Sequence, residues 1–290
     1  MRDFKIITDS GCDLSYEIIN SLDIEYLGLE CEIEGTRIIE DGGKILNYKN
    51  FYEKLIKGAM PKTSQITPNR FIQIFEKYIS LKYDILYIAL SSGLSGTFNS
   101  ALTAREEILE KYPEANIKII DSKAASSGQG LLVYTAAKLK EESKSLNEIV
   151  DYIEEYKRNL YHFFTVKDLK HLERGGRINS ASAIVGSVLN ITPILTVNEE
   201  GTLEVIKKIR GEKKVLKELI KYIGQNICEN NLNTVFISHA DNNESVEFLL
   251  CLIKEKFKVK DVIISYMGLA VGSHTGQGAV GVYFLGKRRK

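Results

Sequence analysis

The sequence has little that would place it in a membrane. No stretch of its 290 residues approaches the roughly 18 uninterrupted apolar residues that a span requires, and residues 1–7, Met1-Arg2-Asp3-Phe4-Lys5-Ile6-Ile7, contain no apolar secretory core. The expectation is a cytoplasmic protein with no stable membrane insertion. Charge of either sign is not in excess: 39 Lys+Arg stand against 38 Asp+Glu, a formal net charge of +1, so no general field draws nucleic acid or an acidic membrane surface. The four cysteines, Cys12, Cys31, Cys228 and Cys251, form no C-x-x-C pair and read as reduced structural thiols. H-x-x-x-H and paired His and carboxylates at ligand spacing are missing, which leaves a metal site without support. G-x-x-x-x-G-K-[ST] does not occur. The dinucleotide fingerprint G-x-G-x-x-G is missing after the first strand, where Asp9-Ser10-Gly11-Cys12-Asp13 stands instead, so nucleotide cofactors are disfavoured.

What is present is an alternation of apolar runs and helical periodicities. Residues 4–8 read as a strand, 16–22 as a helix, 24–33 as one alternating strand with a hairpin return at 36–39, and 47–56 as a helix. Pro61 and Pro68 bound a non-helical loop that carries Thr63-Ser64-Gln65, and Pro68 suits the first turn of a helix over 69–81. The buried run 85–90 then opens into Ser91-Ser92-Gly93-Leu94-Ser95-Gly96-Thr97 and a helix over 98–111. A strand at 117–120, a polar loop from Asp121 to Gly130, and helices at 131–142 and 146–156 complete this half. Three strand ends, after Ile7, Leu90 and Ile120, carry small polar residues, the pattern of the binding edge of an open parallel sheet.

The pattern changes near 158–161, which predicts two domains, 1–158 and 159–290. The second half offers a strand at 162–166, a basic glycine turn in 172–178, a hairpin of 191–197 and 203–208, helices at 212–229 and 243–257, strands at 234–238 and 262–265, and a glycine-rich piece 268–278 before an apolar strand at 279–285. The fold class expected is α/β in two domains, an N-terminal three-layer α/β/α unit with a parallel sheet and a C-terminal α/β unit with a mixed sheet.

Four histidines are candidates for chemistry. His162 lies in an apolar strand and reads as core; His171 sits on a solvated turn; His239 ends a strand and reads mainly as structural. His274 is flanked by Gly272, Ser273, Thr275 and Gly276, where packing has little use for an imidazole, so function is favoured there. Gly93-Leu94-Ser95-Gly96-Thr97 nearly matches the G-x-S-x-G nucleophile elbow, with Thr97 in place of the last glycine. With His274, and Asp121 or Asp241 as scattered acids, Ser95 suits a serine acyl hydrolase. The same hydroxyls, with N–H groups at the helix start, also suit a clamp for a carboxylate or phosphate, each charge-assisted hydrogen bond being worth about 1.5–3 kcal/mol. A phosphotransferase or sugar-phosphate binder on these loops is a third reading.

Taken in order, Thr8-Asp9-Ser10, Thr63-Ser64-Gln65 with Pro68, Ser91 through Thr97, Asp121-Ser122, Leu172-Glu173-Arg174-Gly175-Gly176-Arg177-Ile178 and Gly272-Ser273-His274-Thr275-Gly276-Gln277-Gly278 resemble the DegV family of bacterial fatty-acid-binding proteins over essentially the whole chain. The resemblance implies a non-catalytic lipid-binding protein that holds a long-chain fatty acid such as palmitate between two domains, with no other cofactor. Thr63, Ser95, Gly96 and His274 then correspond to the carboxylate site, and Arg174 and Arg177 suit the mouth or a partner. Ile184, Val188 and Ile194 are candidates for an acyl tunnel, with ordinary core packing the competing reading. Some family members present the acid to an ATP-dependent fatty acid kinase. Gln277 departs from the family, where a proline is expected in many relatives.

Overall fold

The computed structural model describes residues 3–179, 191–227 and 231–289, the side chains of 231–233 excepted. In chain order the first half contains β1 (Phe4–Asp9), α1 (Tyr16–Ser21), β2 (Glu25–Leu27), β3 (Glu30–Ile33), β4 (Thr36–Ile39), α2 (Tyr48–Ile56), β5 (Lys62–Ser64), α3 (Pro68–Ser80), β6 (Asp84–Ala89), α4 (Thr97–Lys111), β7 (Ile117–Asp121), α5 (Ser127–Glu141) and α6 (Leu146–Tyr156). The second contains β8 (Leu160–Thr165), α7 (Lys170–Arg174), β9 (Ile191–Val197), β10 (Leu203–Arg210), α8 (Glu212–Asn226), β11 (Asn231–His239), α9 (Asn243–Lys256), β12 (Lys258–Tyr266), α10 (Leu269–Thr275) and β13 (Val280–Leu285).

Strands β2-β1-β6-β7 form a parallel sheet, as the repeated strand-helix pattern predicts. Its central strands are apolar on both faces because helices cover both. Ile7, Ile85, Tyr87 and Ala89 pack against Phe71 and Phe75 of α3 and Ala101 and Ala104 of α4; Ile6, Leu86 and Ile88 pack against Leu131 and Val133 of α5 and Ile149 and Ile153 of α6. The second sheet has the order β10-β9-β8-β13-β11-β12; β11 and β12 pair in parallel and the other neighbours antiparallel, so it is mixed. Its outer face is closed by α8 and α9 through Val215, Leu219, Leu249 and Ile253.

Three local expectations change. The alternating run 24–33 is not one strand: it breaks at Gly28 and Leu29, giving β2 to the parallel sheet and β3 to a separate sheet of order β4-β3-β5. A Cβ at Gly28 would overlap the Glu40 carbonyl, so only glycine lets the two backbones meet at this corner. The segment between the prolines is non-helical but is strand β5, its Thr63 opposite Cys31. The glycine-rich piece 268–278 is not wholly loop, because residues 269–275 form helix α10.

Packing also crosses the midpoint of the chain. Helix α5 is buried nearly all round, since Leu131 and Leu132 share a core with Phe236 and Tyr283 of the second sheet as well as with the first sheet. The β3-β4-β5 sheet and α2 pack Cys31, Ile33, Phe51 and Tyr52 against Phe164, Leu195 and Met267. Burial of this kind, at about 25 cal/mol per Å² of apolar surface, locks the two halves together. Among the described residues no helix is long and apolar enough to cross a membrane.

Candidate binding site

The polar loops at the ends of the parallel strands are tied to one another. Asp9, fully buried, accepts hydrogen bonds from the Tyr87 hydroxyl at 2.6 Å and from the amides of Leu90 and Gly11 at 2.9 Å each. Burial pushes its pKa up, and these donors hold it back. Ser91 to Thr97 is thereby anchored at its base. The Ser91 hydroxyl donates to the Gly201 carbonyl at 2.7 Å, and Arg177 Nε donates to the Leu94 carbonyl at 2.9 Å, so the β9–β10 turn and the segment after α7 fix the loop from the opposite domain. Ser95 Oγ lies 2.9 Å from Thr97 Oγ1 and accepts from the Thr97 amide at 3.3 Å. A Cβ at position 96 would meet the side-chain oxygen of Gln65, whose Nε2 donates to Ser100 Oγ at 2.9 Å, so a larger residue there requires Gln65 to move.

Thr63 is held in place by β5, and its Oγ1 is 2.8 Å from Nε2 of His274 on α10. The N-terminus of α10 is fixed by two buried carboxylates distant in sequence. Glu40 accepts from the amides of Leu269 at 2.6 Å and Ala270 at 3.1 Å, and Asp13 accepts from the Gly268 amide at 2.8 Å. These bonds satisfy donors that a helix start leaves open. They explain how a glycine-rich segment becomes helical. Burial raises the pKa of Glu40 to about 7 and that of Asp13 well above the carboxylate range. His274 is driven the other way, to about 4, first by burial and then by the positive charges of Arg177 and Arg174. It is therefore a neutral imidazole near pH 7, able to donate through one nitrogen and accept through the other.

Thr63, Ser95, Gly96 and His274 line one cavity of about 230 Å³, whose wall also includes His162 and Phe164 of β8 and Val197 of β9. They sit at its more exposed end together with Ser64, Gln65 and the half-buried Arg177. Further in, the wall is largely apolar, with Leu90, Phe164, Val197, Met267 and Ala270 among its residues. Arg174 is exposed, its guanidinium 3.2 Å from Nδ1 of His171. Of the expected tunnel residues, Ile184 and Val188 lie outside the described residues. Ile194 is fully buried in the core under α8 with Val215 and Leu219, on the face of β9 away from the cavity. The reason is strand alternation: Val197, three residues on, points to the opposite face and does line the cavity.

The other histidines separate clearly. His239 is buried, accepts from the Asn242 amide at 3.2 Å and packs on Tyr266. His171 is half-buried rather than solvated, its ring lying over Gly276. His162 is buried as its apolar strand predicts, yet it also lines the cavity. Sequence reasoning missed that role, along with the supports Asp9, Asp13 and Glu40; the buried acids Asp9 and Asp13 had only their place at a strand end as a signal. Gln277 in the described structure joins Lys167 Nζ at 3.0 Å to the Asp241 carbonyl at 3.0 Å, a bridge that a proline has no side-chain amide to make.

The arrangement lacks the relay of an acyl hydrolase. His274 Nε2 faces Thr63 rather than Ser95, and its Nδ1 has no hydrogen-bond partner among the described residues, so no acid orients it. Asp121 is engaged with Ser92 and Lys123 instead. Ser95 is also not among the residues with positive φ, the strained backbone of a nucleophile elbow. Among the described residues no group of three or more His, Cys, Asp or Glu is placed to hold a metal ion.

These features define a two-domain α/β protein with a largely apolar cavity that opens at a hydroxyl- and imidazole-lined end. The chain belongs to the DegV family: the family model described as "Uncharacterised protein, DegV family" matches residues 3–287. A DegV domain-containing protein of Clostridium perfringens strain 13 is 49% identical over 290 residues, 100% of each chain. The crystal structure of a DegV lipid-binding protein from Thermotoga maritima superposes with a TM-score of 0.87 at 31% identity, covering 99% of this chain and 100% of that one. A DegV family protein from Thermus thermophilus, described for its fatty acid binding, gives a TM-score of 0.88 at 28% identity over 99% of this chain and 100% of that one.

Proposed function

We propose that this protein binds a long-chain fatty acid non-covalently, the carboxylate held by Thr63, Ser95, the Gly96 region and His274, and the acyl chain running inward along Leu90, Phe164 and Met267. The observation that carries this reading is one cavity whose exposed end is polar and whose buried wall is mostly apolar, in a fold shared with proteins described as binding lipid and fatty acid. A neutral His274 and two hydroxyls supply donors to an ionised head group, while each buried methylene contributes about 0.8 kcal/mol. The chain provides affinity; the clamp sets orientation.

The protein acts as a carrier and not as a catalyst, in the cytoplasm, with its domains divided near 158–159. It hands the bound acid to an ATP-dependent fatty acid kinase, and Arg174, exposed beside the mouth, faces that partner. Native mass spectrometry tests the central claim: one hexadecanoate or octadecenoate adduct per chain is expected after incubation. Persistent absence of any lipid-sized adduct refutes it. A Ser95→Ala variant that keeps its fold is expected to hold the acid more weakly.

A further inference from the structure

The buried part of the cavity wall carries a second polar point with no hydrogen bond to the first. His162, on β8, is 1% exposed and lines the cavity, and neither of its ring nitrogens has a hydrogen-bond partner among the described residues. Buried polar groups are nearly always paired, and one left open carries the desolvation cost of the group. Its polar neighbours are already engaged. Ser126 donates to Asp13 at 2.6 Å and lies 2.8 Å from Ser238 Oγ, which donates to the Tyr283 hydroxyl at 3.0 Å, so these hydroxyls form a chain among themselves and none of them bonds the imidazole. The fold makes room for it: Gly128, in the first turn of α5, lies flush on the ring, and a Cβ there would overlap Nε2. Phe164, Val197 and Met267 on the adjoining wall are apolar, so nothing in the surroundings requires a polar ring. Burial, with the Arg289 charge, lowers its pKa to about 3, so the ring is neutral and offers one donor and one acceptor.

We infer that His162 is a second recognition point of this cavity, one that bonds a hydroxyl carried on the acyl chain, so that the ligand class includes hydroxylated long-chain fatty acids. This inference rests on the fatty-acid reading above. A hydroxyl matches a neutral imidazole in either tautomer, and a chain hydroxyl placed against the apolar wall of Phe164, Val197 and Met267 is buried without a partner and binds less well.

The test is a displacement titration of delipidated protein with hexadecanoate and its positional series of monohydroxy derivatives, for the wild type and His162→Leu. In the wild type most positions weaken binding relative to hexadecanoate, while one short window of positions matches or exceeds it. In His162→Leu the affinity ratio of that window to hexadecanoate falls about tenfold, and His162→Gln restores part of it. A hydroxyl that weakens binding equally at every position, and equally in both proteins, overturns the inference. Failure of hexadecanoate itself to bind overturns the fatty-acid reading instead. Should His162→Leu not fold, imidazole resonances of the wild type decide: His162 shifts with the favoured hydroxy acid and not with hexadecanoate, and equal spectra overturn the inference.

Discussion

Glu40 gives the most direct test of how α10, and with it His274, is held. Its carboxylate is 2% exposed, accepts two amides at the start of that helix, and has a pKa raised from 4.5 to about 7 by burial. Between those values the folded protein binds a proton that the unfolded chain has already released, so stability falls as pH rises through this window and levels off above it. The interval corresponds to about 3 kcal/mol at about 1.36 kcal/mol per pKa unit. Glu40→Gln removes the titration, and it turns an amide NH₂ toward one of the two backbone donors, which costs about 1–3 kcal/mol for the pair it breaks. Denaturant unfolding of ligand-free protein between pH 4.5 and 8, followed by circular dichroism, reads both effects. The variant is expected to be the less stable protein at pH 4.5, and the stability of the wild type relative to it is expected to drop by about 3 kcal/mol by pH 8. Asp9 and Asp13 are present in both proteins and cancel to first order. A difference between the two proteins that is constant with pH refutes the reasoning, as does one that moves the other way.

Thr63→Ala and Ser95→Ala are each expected to weaken hexadecanoate binding about tenfold with unchanged unfolding midpoints; titration calorimetry checks this, and full affinity in both variants removes the clamp. The His274 imidazole is expected to titrate near pH 4 in NMR spectra, leaving its protonation unchanged from pH 5.5 to 8, whereas a midpoint near 6.5 means that the ring is not buried against Arg177. Gly128→Ala is expected to cost about 1–3 kcal/mol from overpacking on His162, and the double variant with His162→Ala to recover most of it; additive losses place the strain elsewhere.

Local chemistry made much of the fold legible. The apolar run 85–90 flanked by helices reads as a central parallel strand because both its faces must be dry, and Pro68 marks the start of α3 because a proline at the first turn forfeits no helical bond. Thr63 and Ser95 stood out as hydroxyls concentrated on loops and the glycine-flanked His274 as an imidazole with little packing reason, and the fold brings all three to one cavity. Residues whose signal is relational were not legible. Glu40 in sequence is one acid among many; its role comes from reaching a helix 229 positions away. His162 reads as a core strand residue, correctly, and only the absence of a partner on its ring sets it apart. Ile194 and Val197 look alike in an apolar strand, and the pleat alone sends one to the core and the other to the cavity.

By itself the sequence determined the class of elements, their order, and the residue types at the strand ends, because periodicity, turn chemistry and helix starts act over a few residues. Tertiary structure decided where residues 30–64 and α5 pack, how α10 becomes a helix, and which side chains face one cavity. Those outcomes depend on long-range burial and on hydrogen bonds between groups that meet only when the chain is folded.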